Sequence, residues 1–334
     1  MREHSQPDAT LEVERHVVSV DVSADVDEAG RHTIAAQVAM PPSREAATPP
    51  IVLCCLPGGF LSKAYFDLEI DGSYEFSFVE YMARRGFATI CLDHLGSGES
   101  SRPRDGYAFG VDAIARANQA ALVTLLERLR AGDGLPALPE LVSVGVGHSM
   151  GSCLSVVQQA QHAPHAALVL FSFTTAGLPH FLGEAELELA DDPARAHAEV
   201  PQHVRELYDD PFPARAQNAP PDSHAAYSAG SAPPRAQRAL QKAGTNLLAI
   251  PGTLAMIPGA YTPYAEEIAC PVFVATGDHD LHGVRDTPGM FPRAPEIVAY
   301  ELKDSWHCHN VANTRAKLWD RVVHWLGGVV HDPT

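Results

Sequence analysis

Gly147-His148-Ser149-Met150-Gly151 is the one G-x-S-x-G pentapeptide in this 334-residue chain. A serine in that setting can attack a carbonyl carbon. Its hydroxyl is a poor nucleophile until a base takes the proton, and a neutral imidazole does this best when a buried carboxylate fixes its tautomer and stabilises the imidazolium. The chemistry therefore asks for a serine, a histidine and an acid, together with donors for the oxyanion that develops in the transition state. The pentapeptide lies between a short apolar, β-branched run at 141–146 and a segment at 152–160 suited to a helix. A strand-to-helix elbow of this kind exposes the hydroxyl in a tight turn, and glycines two residues to either side leave room for the crossing backbone. A serine that only capped a helix would not need them.

Such an elbow has to be held by a sheet, and the rest of the chain supplies one. Runs at 11–23 and 32–40 around Glu28-Ala29-Gly30 predict an antiparallel hairpin at a sheet edge, followed by a loop punctuated by Pro41, Pro42, Pro49 and Pro50. Strand-like runs at 51–56, 87–92, 141–146 and 166–173 then alternate with helix-like runs at 74–85, 111–130 and 149–161. The alternation resumes with strands at 271–276 and 296–302 and a helix at 313–325. Alternation of this type means right-handed crossovers and a mostly parallel sheet with helices on both faces. We assign an α/β core to residues 1–176 and 270–334 and a helical cap insertion to 177–269. Pro211, Pro213, Pro220, Pro221, Pro233 and Pro234 break the insertion. Short helices are predicted at 201–208, with Pro201 first, and at 234–243. The apolar stretch 247–261, interrupted by Pro251 and Pro258, reads equally as inter-layer core or as pocket wall.

Five segments, in order, resemble those of the α/β-hydrolase superfamily: Leu56-Pro57-Gly58-Gly59-Phe60, Asp93-His94-Leu95-Gly96-Ser97-Gly98-Glu99-Ser100, the Ser149 elbow, Gly277-Asp278-His279-Asp280 and Ser305-Trp306-His307. The likeness is to its lid-bearing serine esterase or lipase-like branch and extends over the chain outside the insertion. It implies the nucleophile, acid, base order of this fold. Ser149 would be the nucleophile. Of the two acids in the loop after the late strand, the family's spacing favours Asp280 over Asp278. Some relatives carry the acid after the sixth strand, but Ser172-Phe173-Thr174-Thr175 offers no carboxylate. His307 is favoured as base, with His309 the competing residue.

The same resemblance places one oxyanion donor on the N–H of Met150 and the other on Gly59 or Phe60. Many relatives have His-Gly where this chain has Pro57-Gly58, so whatever support that histidine gives must be absent or replaced. The Asp93 to Ser100 turn is expected to be structural. Acyl transfer to water is the implied reaction, on an ester, lactone or thioester of a small to medium apolar substrate. Haloalkane dehalogenases and epoxide hydrolases share the cap but use an aspartate at the elbow. Perhydrolases and C–C hydrolases use the same triad, as would an acyltransferase or cyclase. A ligand-binding protein retaining the fold is the reading from another class.

With 24 basic and 41 acidic residues the formal net charge is −17, which repels nucleic-acid phosphates and anionic membranes. The expected partner is a small-molecule substrate, with no nucleic acid and no membrane; assembly is open between monomer and homodimer. Residues 1–10 lack an apolar leader-like core, and no run is long enough to span a bilayer, so a cytoplasmic protein is expected. Cys54, Cys55, Cys91, Cys153, Cys270 and Cys308 show no C-x-x-C spacing and read as free thiols, most of them in core runs. No cofactor is expected. A metal site built from His307, His309, Asp278, Asp280 and His282 would leave the serine elbow unexplained.

Overall fold

The computed structural model describes residues 12–42, 49–214 and 232–330. Residue 11 of the first predicted run, the N-terminal decapeptide, Pro220 and Pro221 lie outside them. Eight strands form one sheet, taken here in order from one edge to the other. The edge hairpin is β1 (Glu14–Asp21) and β2 (Thr33–Met40), antiparallel throughout, and β2 joins β6 (Ala88–Leu92) antiparallel as well. From β6 the pairing is parallel through β3 (Ile51–Leu56), β7 (Val142–His148), β8 (Ala167–Phe171), β9 (Val272–Gly277) and β10 (Ile297–Leu302).

Helices cover both faces, so a central strand has no polar side. All six residues of β3 are buried, and they divide with a period of two. Val52, Cys54 and Leu56 join the core under α2 (Val111–Ala131) and α3 (Met150–His162). Ile51, Leu53 and Cys55 join the core under α1 (Phe78–Ala83) and the last helix, Arg315–Val329. Five of the six cysteines are buried free thiols, and Cys270 is partly exposed.

The predicted helix at 74–85 is corrected. Its first part is a strand, β5 (Ser73–Ser77), which pairs with β4 (Asp67–Ile70), and only Phe78–Ala83 is helical. The overlooked signal is Asp71-Gly72, whose φ values of 51° and 78° make a two-residue hairpin turn. Ser77 then ends the strand and caps α1, its Oγ accepting from the Glu80 N–H at 2.7 Å.

Between β8 and β9 the chain forms α4 (Glu184–Leu187), α5 (Pro193–Leu207), α6 (Pro234–Lys242), α7 (Ala249–Leu254) and α8 (Thr262–Ala265). After β9 follow α9 (Thr287–Met290) and, after β10, α10 (Arg315–Val329). The helix predicted at 201–208 is longer than expected: Asp192 caps it through the Arg195 N–H at 3.1 Å, Pro193 occupies its first turn, and Pro201 falls inside it. Residues 247–261 divide between the two predicted roles. Leu248, Ile250, Leu254 and Ile257 are buried core, while Leu247, Thr253 and Met256 line a cavity. No helix among the described residues is long and apolar enough to cross a membrane.

Candidate active site

The elbow follows from close approach of backbone. Strand β7 ends at His148 and α3 starts at Met150, leaving Ser149 alone at φ 54°, ψ −122°. A Cβ on Gly147 would stand 2.4 Å from Ser152 Cα, and one on Gly151 2.2 Å from the Leu56 carbonyl oxygen. Neither position admits a side chain. The Ser149 N–H donates to the Phe171 carbonyl on the neighbouring strand at 2.8 Å, which fixes the strained residue.

The loops after β9 and β10 meet this elbow. His307 Nε2 lies 2.9 Å from Ser149 Oγ, and His307 Nδ1 lies 2.7 Å from Asp280 Oδ1. Since a carboxylate only accepts, Nδ1 carries the ring proton and Nε2 is free to accept from the serine hydroxyl. The Asp280 side chain is fully buried. Its Oδ1 also accepts from the Leu281 N–H at 2.7 Å, and its Oδ2 accepts from Ser172 Oγ and, at 3.4 Å, from the Gly277 N–H. Burial pushes this carboxyl up, but the facing His307 and then His309 outweigh it and hold it well below the usual range. It stays ionised.

Two further histidines enclose the pair. His148 donates Nε2–H to the His307 carbonyl at 2.9 Å, so the elbow itself pins the base's backbone. Burial, with His307 and His309 nearby, drives His148 well below its ordinary value and keeps it neutral. His309 is completely buried, with Nε2 3.5 Å from Asp280 Oδ2. Burial lowers it to about 4. Asp278 points elsewhere: its Oδ1 accepts the Ser305 N–H at 3.1 Å and ties the loop after β9 to the loop after β10. Of the expected site residues, the structure therefore brings Ser149, His307 and Asp280 into one chain of contacts and leaves Asp278 outside it. Both ring nitrogens of His307 are engaged in that chain, and among the described residues no group of three or more His, Cys, Asp or Glu is placed to hold a metal ion.

The loop after β3 passes beside the serine, since a Cβ on Gly58 would stand 3.1 Å from Ser149 Cβ. Phe60 has φ 61° in this loop. Among the described residues the N–H groups of Gly59, Phe60 and Met150 have no acceptor. For Met150 this follows from its place in the first turn of α3. The Pro57 carbonyl is held by His94. Asn118 Nδ2 donates to His94 Nδ1 at 2.9 Å, so His94 Nε2 carries the proton and donates to the Pro57 carbonyl at 2.9 Å. Burial keeps His94 neutral. The following turn is anchored by Asp93, whose carboxylate accepts the Lys63 N–H at 2.6 Å, Lys63 Nζ at 2.8 Å and the Glu99 N–H at 2.9 Å.

Ser149, Met150, Gly59, Phe60 and His307 open onto a cavity of about 400 Å³. Leu61, Leu178, Leu240, Leu247 and Met256 give it apolar walls, and no Asp, Glu, Lys or Arg is found among its described lining residues. Cys153 also lines it, with a thiol pushed up to about 12 by burial and so protonated. Sequence reasoning missed Ser172 and the supporting role of His94. Ser172 carries no charge and belongs to no motif; its φ of 53° at the end of β8 becomes visible only in the fold.

The sequence pattern of a family described as "Alpha/beta hydrolase family" matches residues 51–318. No curated protein matches the chain by sequence. Among solved structures, an esterase from Exiguobacterium antarcticum superposes with a TM-score of 0.61 at 13% identity, covering 91% of this chain and 98% of its own. A bromoperoxidase from Bacillus anthracis gives 0.59 at 15%, covering 95% and 100%. An esterase of M. tuberculosis gives 0.58 at 17%, covering 94% and 92%. At these identities the likeness is one of fold.

Proposed function

The chain belongs to the alpha/beta hydrolase family, and from that premise we propose that it is a serine hydrolase of carboxylic ester-type bonds acting through an acyl-enzyme on Ser149. The observation that carries this reading is the unbroken contact from Ser149 Oγ through His307 to buried Asp280, at 2.9 and 2.7 Å, opening into a cavity. Ser149 Oγ attacks the carbonyl carbon while His307 Nε2 takes its proton. Asp280 holds the ring's tautomer and stabilises the imidazolium. The N–H of Met150 and that of Phe60 or Gly59 receive the oxyanion. The proton on His307 then passes to the departing alcohol or thiol, and a water activated by the same ring releases the acid.

The cavity's size and uncharged described walls favour a neutral, apolar ester, lactone or thioester of small to medium size. From the insertion at 177–269, Leu178, Leu240, Leu247 and Met256 line it, and the described part of that insertion acts as its cap. The test is treatment of the purified protein with a fluorophosphonate, read by intact mass, beside Ser149→Ala. One adduct in the wild type that is missing from the variant supports the reading, and screening of neutral esters follows. No adduct in the wild type overturns it in favour of a ligand-binding protein. Transfer of the acyl group to an added alcohol in preference to water would make the protein an acyltransferase.

A further inference from the structure

The insertion between β8 and β9 does more than roof the cavity; one of its segments is bonded to the loop that carries the second oxyanion donor. The Thr245 N–H donates to the Phe60 carbonyl at 2.9 Å, and the Ser62 N–H donates to the Ala243 carbonyl at 2.9 Å. Ser62 Oγ donates to the same carbonyl at 3.0 Å, and Leu61 and Gly244 form an antiparallel bridge. Residues 243–245 thus run antiparallel beside 60–62, and 246–247 continue beside 213–214, where the Leu247 N–H donates to the Pro213 carbonyl. That segment is in turn tied to the turn after β6. Asn246, 5% exposed, donates Nδ2–H to the Gly96 carbonyl at 2.8 Å and accepts from Arg102 Nη2 at 3.0 Å and from Thr245 Oγ1 at 3.1 Å. Thr245 Oγ1 accepts the Gly98 N–H at 3.1 Å.

What this clamp grips is a residue that does not hold its own conformation. Phe60, at φ 61°, sits in the left-handed region, which is strained for a residue bearing a side chain and persists only where surroundings impose it. The direction of the Phe60 N–H relative to its own carbonyl is set by its φ and ψ together. The Phe60 carbonyl is held by Thr245 and, two peptides upstream, the Pro57 carbonyl is held by His94, so the loop that carries the Phe60 N–H is tied on both sides.

We propose that Thr245 and Asn246 are positioning residues for the oxyanion hole, fixing the Phe60 N–H from the insertion by way of the Phe60 carbonyl. The proposal rests on the serine-hydrolase reading for its kinetic consequence and on geometry alone for the clamp. The two residues touch no reacting atom. Leu247, next in the same segment, lines the cavity, and a Cβ on Gly59 would stand 2.7 Å from its Cδ1. An acyl chain lying against Leu247 therefore presses on the segment that sets the hole.

The experiment uses Thr245→Val, which keeps the backbone N–H and removes Oγ1, and Asn246→Leu, each in the full chain and checked for wild-type thermal stability. Three quantities are read: kcat and KM on a neutral p-nitrophenyl ester, the inhibition constant of an alkyl trifluoromethyl ketone, and hydrogen exchange of a peptide covering 58–64. Loss of a whole oxyanion donor costs about 10²- to 10³-fold in rate, so a loosened one is expected to lower kcat about 10- to 100-fold. KM should stay within about twofold, the ketone should weaken by the same factor as kcat because its hemiketal oxygen occupies the hole, and exchange at 58–64 should quicken. Quickened exchange with kcat and ketone affinity at wild-type values overturns the positioning role, and unchanged exchange overturns the clamp. A wild type that neither turns over nor forms the Ser149 adduct sinks the hydrolase reading instead, and the exchange result still decides whether the clamp exists.

Discussion

Asp280 gathers contacts from across the site: His307, Leu281, Ser172 and Gly277 all donate to it, and His309 faces it. An acid held by this many donors is costly to replace. Asp280→Asn turns one oxygen into a donor that opposes the Nδ1–H of His307, and it is expected to lower kcat by about 10³-fold or more. Ser149→Ala and His307→Ala should do the same. Asp278→Asn, whose contact is to the Ser305 backbone, is expected to keep activity within about threefold. Ester hydrolysis rates of the four variants check the assignment, and loss in His309→Ala with retention in His307→Ala would reverse the choice of base. Ser172→Ala removes one hydrogen bond to a buried carboxylate and is expected to cost about tenfold in kcat, read in the same assay. The buried histidines carry a stability prediction of definite sign. His309 is lowered to about 4 and His165 to about 3 by burial, so both are neutral in the native protein. An unfolded imidazole binds its proton near about pH 6.5, so below that value the unfolded state gains protons that the folded state does not. Stability is therefore full above about pH 6.5 and declines as pH falls toward about 4; thermal midpoints taken across that interval should drop, and flat midpoints would contradict the neutral, buried assignment.

At the scale of elements, the elbow makes the sharpest demand. Gly151→Ala puts a methyl 2.2 Å from the Leu56 carbonyl, an atom of rigid β3. Neither backbone can yield cheaply, so the variant is expected to lose several kcal/mol of stability, on the order of 3 or more, seen as a lowered denaturation midpoint. Helix α5 supplies the opposite case. Pro201 lies inside it and removes a backbone bond to the carbonyl one turn back. Pro201→Ala is expected to raise the midpoint, by up to about 3 kcal/mol on helix propensity alone. These elements also show what the sequence makes legible. Strands β3 and β8 are continuous apolar runs, and β7 and β9 are apolar with only small or polar interruptions, because helices cover both faces, and such runs can be read directly. Ser149 could be read because its geometry requires glycine at two fixed offsets. The β4–β5 hairpin was hidden because Tyr74, Glu75 and Phe76 sit beside a true helix and share its composition. Ser172 and Asn246 could not be read at all: their roles depend on partners 108 and 150 residues away, Asp280 and Gly96, and no local pattern marks such a meeting.

Over the whole molecule, charge and cavity point the same way. The chain carries a net charge of −17, and the described cavity walls hold no charged side chain to offset it. A carboxylate or phosphate on the substrate would approach against the protein's field and be desolvated without a partner. For matched esters differing only in a terminal methyl or carboxylate, kcat/KM is expected to favour the neutral member by at least about tenfold; equal values would place an undetected cation at the site. The insertion has a consequence for protein engineering and for descent alike. It leaves the sheet after β8 and returns at β9, and these strands are neighbours, so a foreign segment could be spliced between them without disturbing the acid loop or the nucleophile. Such a chimaera would lose residues 243–247 and, with them, the grip on Phe60. It should still form a phosphonate adduct at Ser149 yet turn over slowly, unless the donor segment brought its own strand to lie beside 60–62. An exchanged roof is therefore expected to need a segment that pairs with 60–62 as well as one that fits the pocket.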